Sequence, residues 1–177
     1  MMKYLEKHNV LTSLNHGFRS GYSCETQFVV TIHDMLQSFD QGKQVDIGIL
    51  DFSKAFDTVP HDRLLHKIDQ YGIRGTLHTW LTSFLTERKM RVALEGEFSD
   101  EATVDSGVPQ GTVLGPILFL CHINSVISSV RLFADDCLLY REINKDNYHT
   151  TLKNDLKTSR NGHQTGECVS MPKSVTF

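Results

Sequence analysis

The sequence predicts a packed α/β or α+β globule. Its 177 residues are 40% hydrophobic and 22% charged, which gives enough apolar surface for a core and too little net charge for a disordered chain. Along the chain, helical spacing of apolar residues alternates with short apolar runs of strand length. The length fits one domain or part of a larger one. The longest apolar stretch, Val113 to Leu120, is about eight residues against the roughly 20 a membrane-spanning helix needs. No membrane association is therefore expected.

Taken in order, MMKYLEKHNVL reads as helical and Asn15 to Ser23 as turn-rich. From Glu25 to Phe39, Phe28, Val29, Ile32, Met35, Leu36 and Phe39 recur at helical spacing, the pattern of a long helix that buries one face. Gln41-Gly42-Lys43 breaks that helix. Val45 to Phe52 alternates and then becomes apolar on both sides, which predicts a central strand. After Pro60, Leu64, Leu65, Ile68 and Tyr71 mark a helix ending near Gly72, and Leu77, Trp80, Leu81, Phe84 and Leu85 mark another with Trp80 and Phe84 in its core face. Lys89 to Leu94 and Phe98 to Val104 form two short strands joined by Glu95-Gly96-Glu97. The loop Ser106 to Thr112 leads to an apolar helix from about Gly115 to Ile127. Val130 to Ala134 and Cys137 to Tyr140 are strands with Asp135-Asp136 at the turn between them. Asn147 to Lys157 reads as a surface helix with Leu152 and Leu156 inward, and the tail beyond Ser159 is polar and poorly patterned.

Charge and cysteine content narrow the function classes. With 18 Lys and Arg against 21 Asp and Glu, the formal net charge is −3, so the chain lacks the basic footprint of a simple nucleic-acid binder. A polynucleotide partner would need metal ions. The start MMKYLEKHNV has no uncharged apolar core of signal-peptide length, and the four cysteines show no CxxC pairing. The expected compartment is intracellular, cytoplasmic or nuclear, and not secreted. His61 and His66 have no cysteines at zinc-finger spacing.

The strongest chemical signal is acidic. Asp51 closes an apolar strand and Asp135-Asp136 lies between two more, so three carboxylates are candidates to meet at one sheet edge. Aspartate is also an ordinary turn residue, and a solvated hairpin tip is the bland account of the pair. Clustered carboxylates repel unless a cation or proton joins them, and their hard oxygens suit Mg²⁺. Two such ions about 3.5 to 4 Å apart serve phosphoryl transfer.

The strings LDFSKAFDTVPHDRLL (Leu50 to Leu65), SGVPQGTVLGPILF (Ser106 to Phe119) and FADDCLLY (Phe133 to Tyr140) resemble palm motifs A, B and C of reverse transcriptases, the last being the FADD motif. HGFRSGYSCETQF, from His16 to Phe28, is similar to the segment that non-LTR, LINE-type retrotransposons carry just before motif A. The resemblance implies an α+β fold, a polymerase palm-like antiparallel sheet packed on helices, with fingers truncated and thumb absent. It divides the chain into a residual fingers or connecting helical segment (1–44), a palm (45–158) and a degenerate C-terminal palm segment (159–177).

The resemblance also implies roles. Asp51 and Asp135 would be the main ligands of two Mg²⁺ ions, with Mn²⁺ as a substitute. Asp136 would be an accessory acid and Phe52 would lend backbone at the metal site. Asp57, in the AFD string, would make a structural hydrogen bond. Phe56 would lie beneath the incoming sugar and exclude a ribose 2′-hydroxyl. Gln110 and Gly111 would face the nucleotide, and Pro109 and Arg19 the nucleic acid. Lys173 would lie near the leaving pyrophosphate. Partners would be an RNA template, a DNA primer and dNTPs. Departures from the family are Ser125 in place of its aspartate after Ile123-Asn124, and Asn161 and Thr165 in place of two tryptophans. The implied function is RNA-directed DNA polymerase; the alternative is a catalytically inactive retroelement remnant with at most weak nucleic-acid binding. A stand-alone Mg²⁺ hydrolase would leave Phe56 and the Pro109-Gln110-Gly111 loop unexplained.

Overall fold

The computed structural model of the chain describes residues 1–124 and 130–143. They contain helices α1 (Met2–Lys7), α2 (Cys24–Asp40), α3 (His61–Gln70), α4 (Thr76–Thr86) and α5 (Leu114–Ile123), and strands β1 (Val45–Asp51), β2 (Lys89–Met90), β3 (Ala93–Leu94), β4 (Glu97–Phe98), β5 (Ala102–Thr103), β6 (Val130–Phe133) and β7 (Asp136–Glu142). All the sheets are antiparallel, which makes the fold α+β. No helix among the described residues is long and apolar enough to cross a membrane. The expected helix at 147–157, Lys173 and the C-terminal segment lie outside the described residues.

The chain groups into two units. The first joins Met1–Val10 to Lys54–His122. Its core holds Leu5, Leu64, Ile68, Leu81, Leu85, Leu118 and Phe119, all fully buried, as the helical spacing predicts for α3 and α4. Trp80 departs from that pattern: it is 50% exposed and stacked on Phe84 at the surface. Leu81 and Leu85 already fill the buried stripe of α4. The two strands expected over 89–104 are real but interrupted. β3 and β4 close on a Glu95-Gly96 turn with both φ angles positive, the geometry that matches strand twist in a two-residue hairpin. Ser99 then donates its backbone N–H to the Val92 carbonyl while its hydroxyl oxygen accepts the Val92 N–H, ahead of the β2–β5 pair.

The second unit starts at Leu11, runs to Ser53 and resumes at Ile123. Its three-stranded sheet has the order β1-β7-β6. Among the described residues β7 is the central strand, and β1, the strand expected over Val45 to Phe52, pairs with it along its whole length. Leu50, Val130, Leu132, Cys137 and Leu139 bury one face of this sheet. Successive side chains alternate faces, so Asp136, Leu138 and Tyr140 share the other with Asp51 and Ile49, their partners or neighbours in register.

Helix α2 begins with a capping box, Ser23 and Thr26 satisfying each other's backbone N–H groups. Its docking inverts the sequence expectation. Phe28, Val29, Leu36 and Phe39 are all more than half exposed, whereas Gln27, Thr31 and Ser38 are buried. The physical reason is polar. Asp34 accepts hydrogen bonds from Arg131 at 2.5 Å and from the Tyr140 hydroxyl, and Ser38 donates to Glu142 at 2.8 Å. Helix α2 thus seats on β6 and β7 through charge-assisted bonds, which outweigh neutral ones.

Candidate active site

In the second unit, the antiparallel register sets Asp51 directly opposite Asp136. Opposed residues lie on the same face with side chains in reach of each other. Asp135 is the second residue of the two-residue turn between β6 and β7, since Phe133 pairs with Asp136 across it. The sequence reading put both acids in that turn; Asp136 is instead the first residue of β7. The remaining turn residue, Ala134, has a left-handed φ of 57°, a conformation that costs a non-glycine residue about 1–3 kcal/mol and concentrates at functional sites.

Asp136 feels both other acids. Burial, then the charges of Asp135 and Asp51, push the Asp136 carboxyl above its ordinary value. Such repulsion is what a cation would relieve. Among the described residues no three His, Cys, Asp or Glu side chains are gathered tightly enough to hold a metal ion as they stand. The acids supply charge and position without a closed ligand cage. Phe52 is buried, so its ring belongs to the core and only its backbone is a candidate ligand.

Behind the acids runs the segment Leu14 to Gly17. Leu132 donates its N–H to Leu14 and accepts from His16, which ties this segment to β6 in parallel. Arg19, expected at a nucleic-acid phosphate, turns Nη1 to the carbonyls of Thr12 at 2.7 Å and Asn15 at 3.3 Å and stacks over Tyr22. It holds the turn together.

In the first unit, Phe56 is half-buried and stacks on fully buried Phe119, with centroids 4.3 Å apart and rings 19° from parallel. Asp57 makes the structural bond expected of it: its carboxylate accepts from Gln110 Nε2 at 3.0 Å, and its carbonyl from the Ser106 hydroxyl at 2.8 Å. Val108 N–H donates to Phe56 and Gly107 N–H to Val59, so the loop from Ser106 to Gln110 is pinned along residues 56–60. Gly107 sits there at φ 86°, and a Cβ on it would lie 2.7 Å from the Asp57 carbonyl oxygen. His61, buried and satisfied rather than metal-binding, and Arg88, which the sequence reading missed, both donate to the Gly107 carbonyl, at 2.9 and 2.8 Å. No local pattern announces them, because the bonds span 46 and 19 positions. Gly111 is exposed at φ 73° with open space around it, and Pro109 accepts from the Thr112 hydroxyl.

A family profile described as "Reverse transcriptase (RNA-dependent DNA polymerase)" matches residues 1–177. This chain belongs to the reverse transcriptase family. Among curated relatives, it is 30% identical over 151 residues to the probable RNA-directed DNA polymerase from transposon X-element of Drosophila melanogaster, covering 80% of this chain and 16% of that protein. It is 31% identical over 121 residues to the corresponding protein from transposon BS of the same species, covering 65% of this chain and 13% of the other. The reverse transcriptase segment seen here therefore spans a small part of those relatives. In fold, it is similar to a solved apo telomerase from Candida Tropicalis, with a TM-score of 0.61 and 14% identity over 91% of this chain and 36% of that one.

Proposed function

We propose that this chain is the palm of an RNA-directed DNA polymerase from a non-LTR retroelement, with the palm motifs in 45–158, where a primer 3′-hydroxyl attacks the α-phosphate of a dNTP opposite an RNA template. The observation that carries this reading is the register that opposes Asp51 to Asp136 with Asp135 in the adjoining turn. Asp51 and Asp135 would hold two Mg²⁺ ions, or Mn²⁺, with Asp136 accessory and the Phe52 backbone beside them. Mg²⁺ keeps several waters and takes one or two carboxylates plus substrate phosphates, so an open set of acids suits it. When bound, the ions supply charge stabilisation for the attacking and leaving oxygens.

The remaining roles fall to the chain's own side chains. The Phe56 ring, backed by Phe119, excludes a ribose 2′-hydroxyl by bulk. Gln110 is oriented by Asp57, which takes its Nε2 hydrogen and turns its Oε1 away from that bond. Gly111 and Pro109 let backbone approach nucleotide and template. Lys173 serves the pyrophosphate.

The test is primer extension on an RNA template by a polymerase containing this segment. Asp51→Asn and Asp135→Asn each remove a ligand charge at constant size and should nearly abolish incorporation with the Tm preserved. Near-normal incorporation by both variants would make the acids structural. Inactivity of the parent would favour the inactive remnant. Phe56→Ala should raise the ratio of ribonucleotide to deoxyribonucleotide use, and an unchanged ratio would return Phe56 to a packing role.

A further inference from the structure

We propose that Gly17 is a positioning residue for the acidic turn: its missing side chain lets the Leu14–Gly17 segment press directly on the backbone that aims Asp135 and Asp136. This rests on the metal-binding reading of those acids. A Cβ at Gly17 would stand 2.9 Å from Ala134 Cα and 3.1 Å from the Phe133 carbonyl carbon, with the Ala134 nitrogen closer still. All three atoms are backbone, so no side-chain rotation relieves the overlap and the turn itself must move. Its neighbours on both sides are fixed. Leu132 is bonded to Leu14 and His16, and the Asn15 side chain accepts the Gly17 N–H at 2.9 Å. Ala134 is already held left-handed. The displacement therefore concentrates on residues 134–136, the residues that carry the acids.

Residues that orient metal ligands typically matter 10–100-fold for metal affinity. The experiment uses the ¹⁵N-labelled 177-residue chain titrated with Mn²⁺, whose paramagnetism broadens amide signals near its site. In wild type, the amides of Asp51, Asp135 and Asp136 should broaden first. In Gly17→Ala, metal-free amide shifts of Ala134 to Asp136 should move while those of Val45 to Ile49 stay, and the same broadening should need about 10–100-fold more Mn²⁺. Gly48→Ala is the control, since a Cβ there meets Leu139 only at an ordinary 3.9 Å; it should change neither readout. A merely stabilising role for Gly17 would lower the Tm without changing Mn²⁺ affinity measured well below it. If Gly17→Ala does not fold, Asn15→Ala removes the side-chain bond to Gly17 without adding bulk and should move the same amides and weaken Mn²⁺ in the same direction. Unmoved amides or unchanged affinity in the folded variant, beside a wild type that binds, would overturn the role of Gly17 alone. A wild type that binds no Mn²⁺ would overturn the metal reading and this inference together.

Discussion

Replacing Asp34 by alanine should loosen α2 from the strands that carry the acids. The carboxylate accepts from Arg131 Nη2 at 2.5 Å and from the Tyr140 hydroxyl, and the Arg131 side chain is only 18% exposed. Its loss leaves a mostly buried guanidinium without that counter-charge. Hydrogen bonds to a charged group are worth about 1.5–3 kcal/mol each and do not add fully. Asp34→Ala should therefore cost about 2–4 kcal/mol, a Tm drop on the order of 5–15 °C at this chain length.

The pH dependence sharpens the test. Burial acts to raise the Asp34 pKa, but the bonds from Tyr140 and Arg131 and the nearby positive charges outweigh it and hold the carboxyl below its ordinary value. Its contribution is thus present above the ordinary carboxylate range and lost as pH falls through the depressed pKa. Burial and the bond to Asp34 push Tyr140 up to about 12. The tyrosine share is complete below an ordinary value near 10 and disappears as pH climbs toward 12. Thermal unfolding followed by circular dichroism should show a wild-type advantage that is flat around neutrality and shrinks at both extremes. An Asp34→Ala variant with unchanged Tm at pH 7, or a gap that persists undiminished in acid, would refute the reasoning.

Asp136→Asn should stabilise the metal-free chain at pH 7 by up to about 1 kcal/mol, because burial and the charges of Asp135 and Asp51 raise the Asp136 pKa and an exposed charge is well screened. A raised pKa means stability that fades as pH rises through it, so the advantage should vanish once Asp136 is protonated; denaturation in EDTA at two pH values checks this. Gly107→Ala combines left-handed strain with a Cβ 2.7–2.9 Å from Asp57 backbone and should cost more than about 2 kcal/mol, visible as faster hydrogen exchange at Val108. In a Cys168→Ser background, iodoacetamide should label exposed Cys24 long before Cys121 and Cys137, whose thiols burial pushes up to about 12; equal labelling under native conditions would contradict their burial.

What the sequence determined by itself was the identity of most elements and of the family. Apolar periodicity marked α3 and α4, the Asp135-Asp136 pair marked a hairpin, and the strings around Asp51, Gln110 and Asp135 carried the family. Local order suffices there because helices, turns and motifs depend on residues a few positions apart. Tertiary structure alone decided which face of α2 is buried. Periodicity finds a stripe but cannot say that Asp34 and Ser38 will meet Arg131, Tyr140 and Glu142 about 100 positions away. It also set β1 beside β7, since pairing is a long-range choice that composition does not encode. And it gave Gly17 and Gly107 their meaning, because a glycine's role is set by the backbone pressed against its missing side chain, and that backbone comes from elsewhere in the chain.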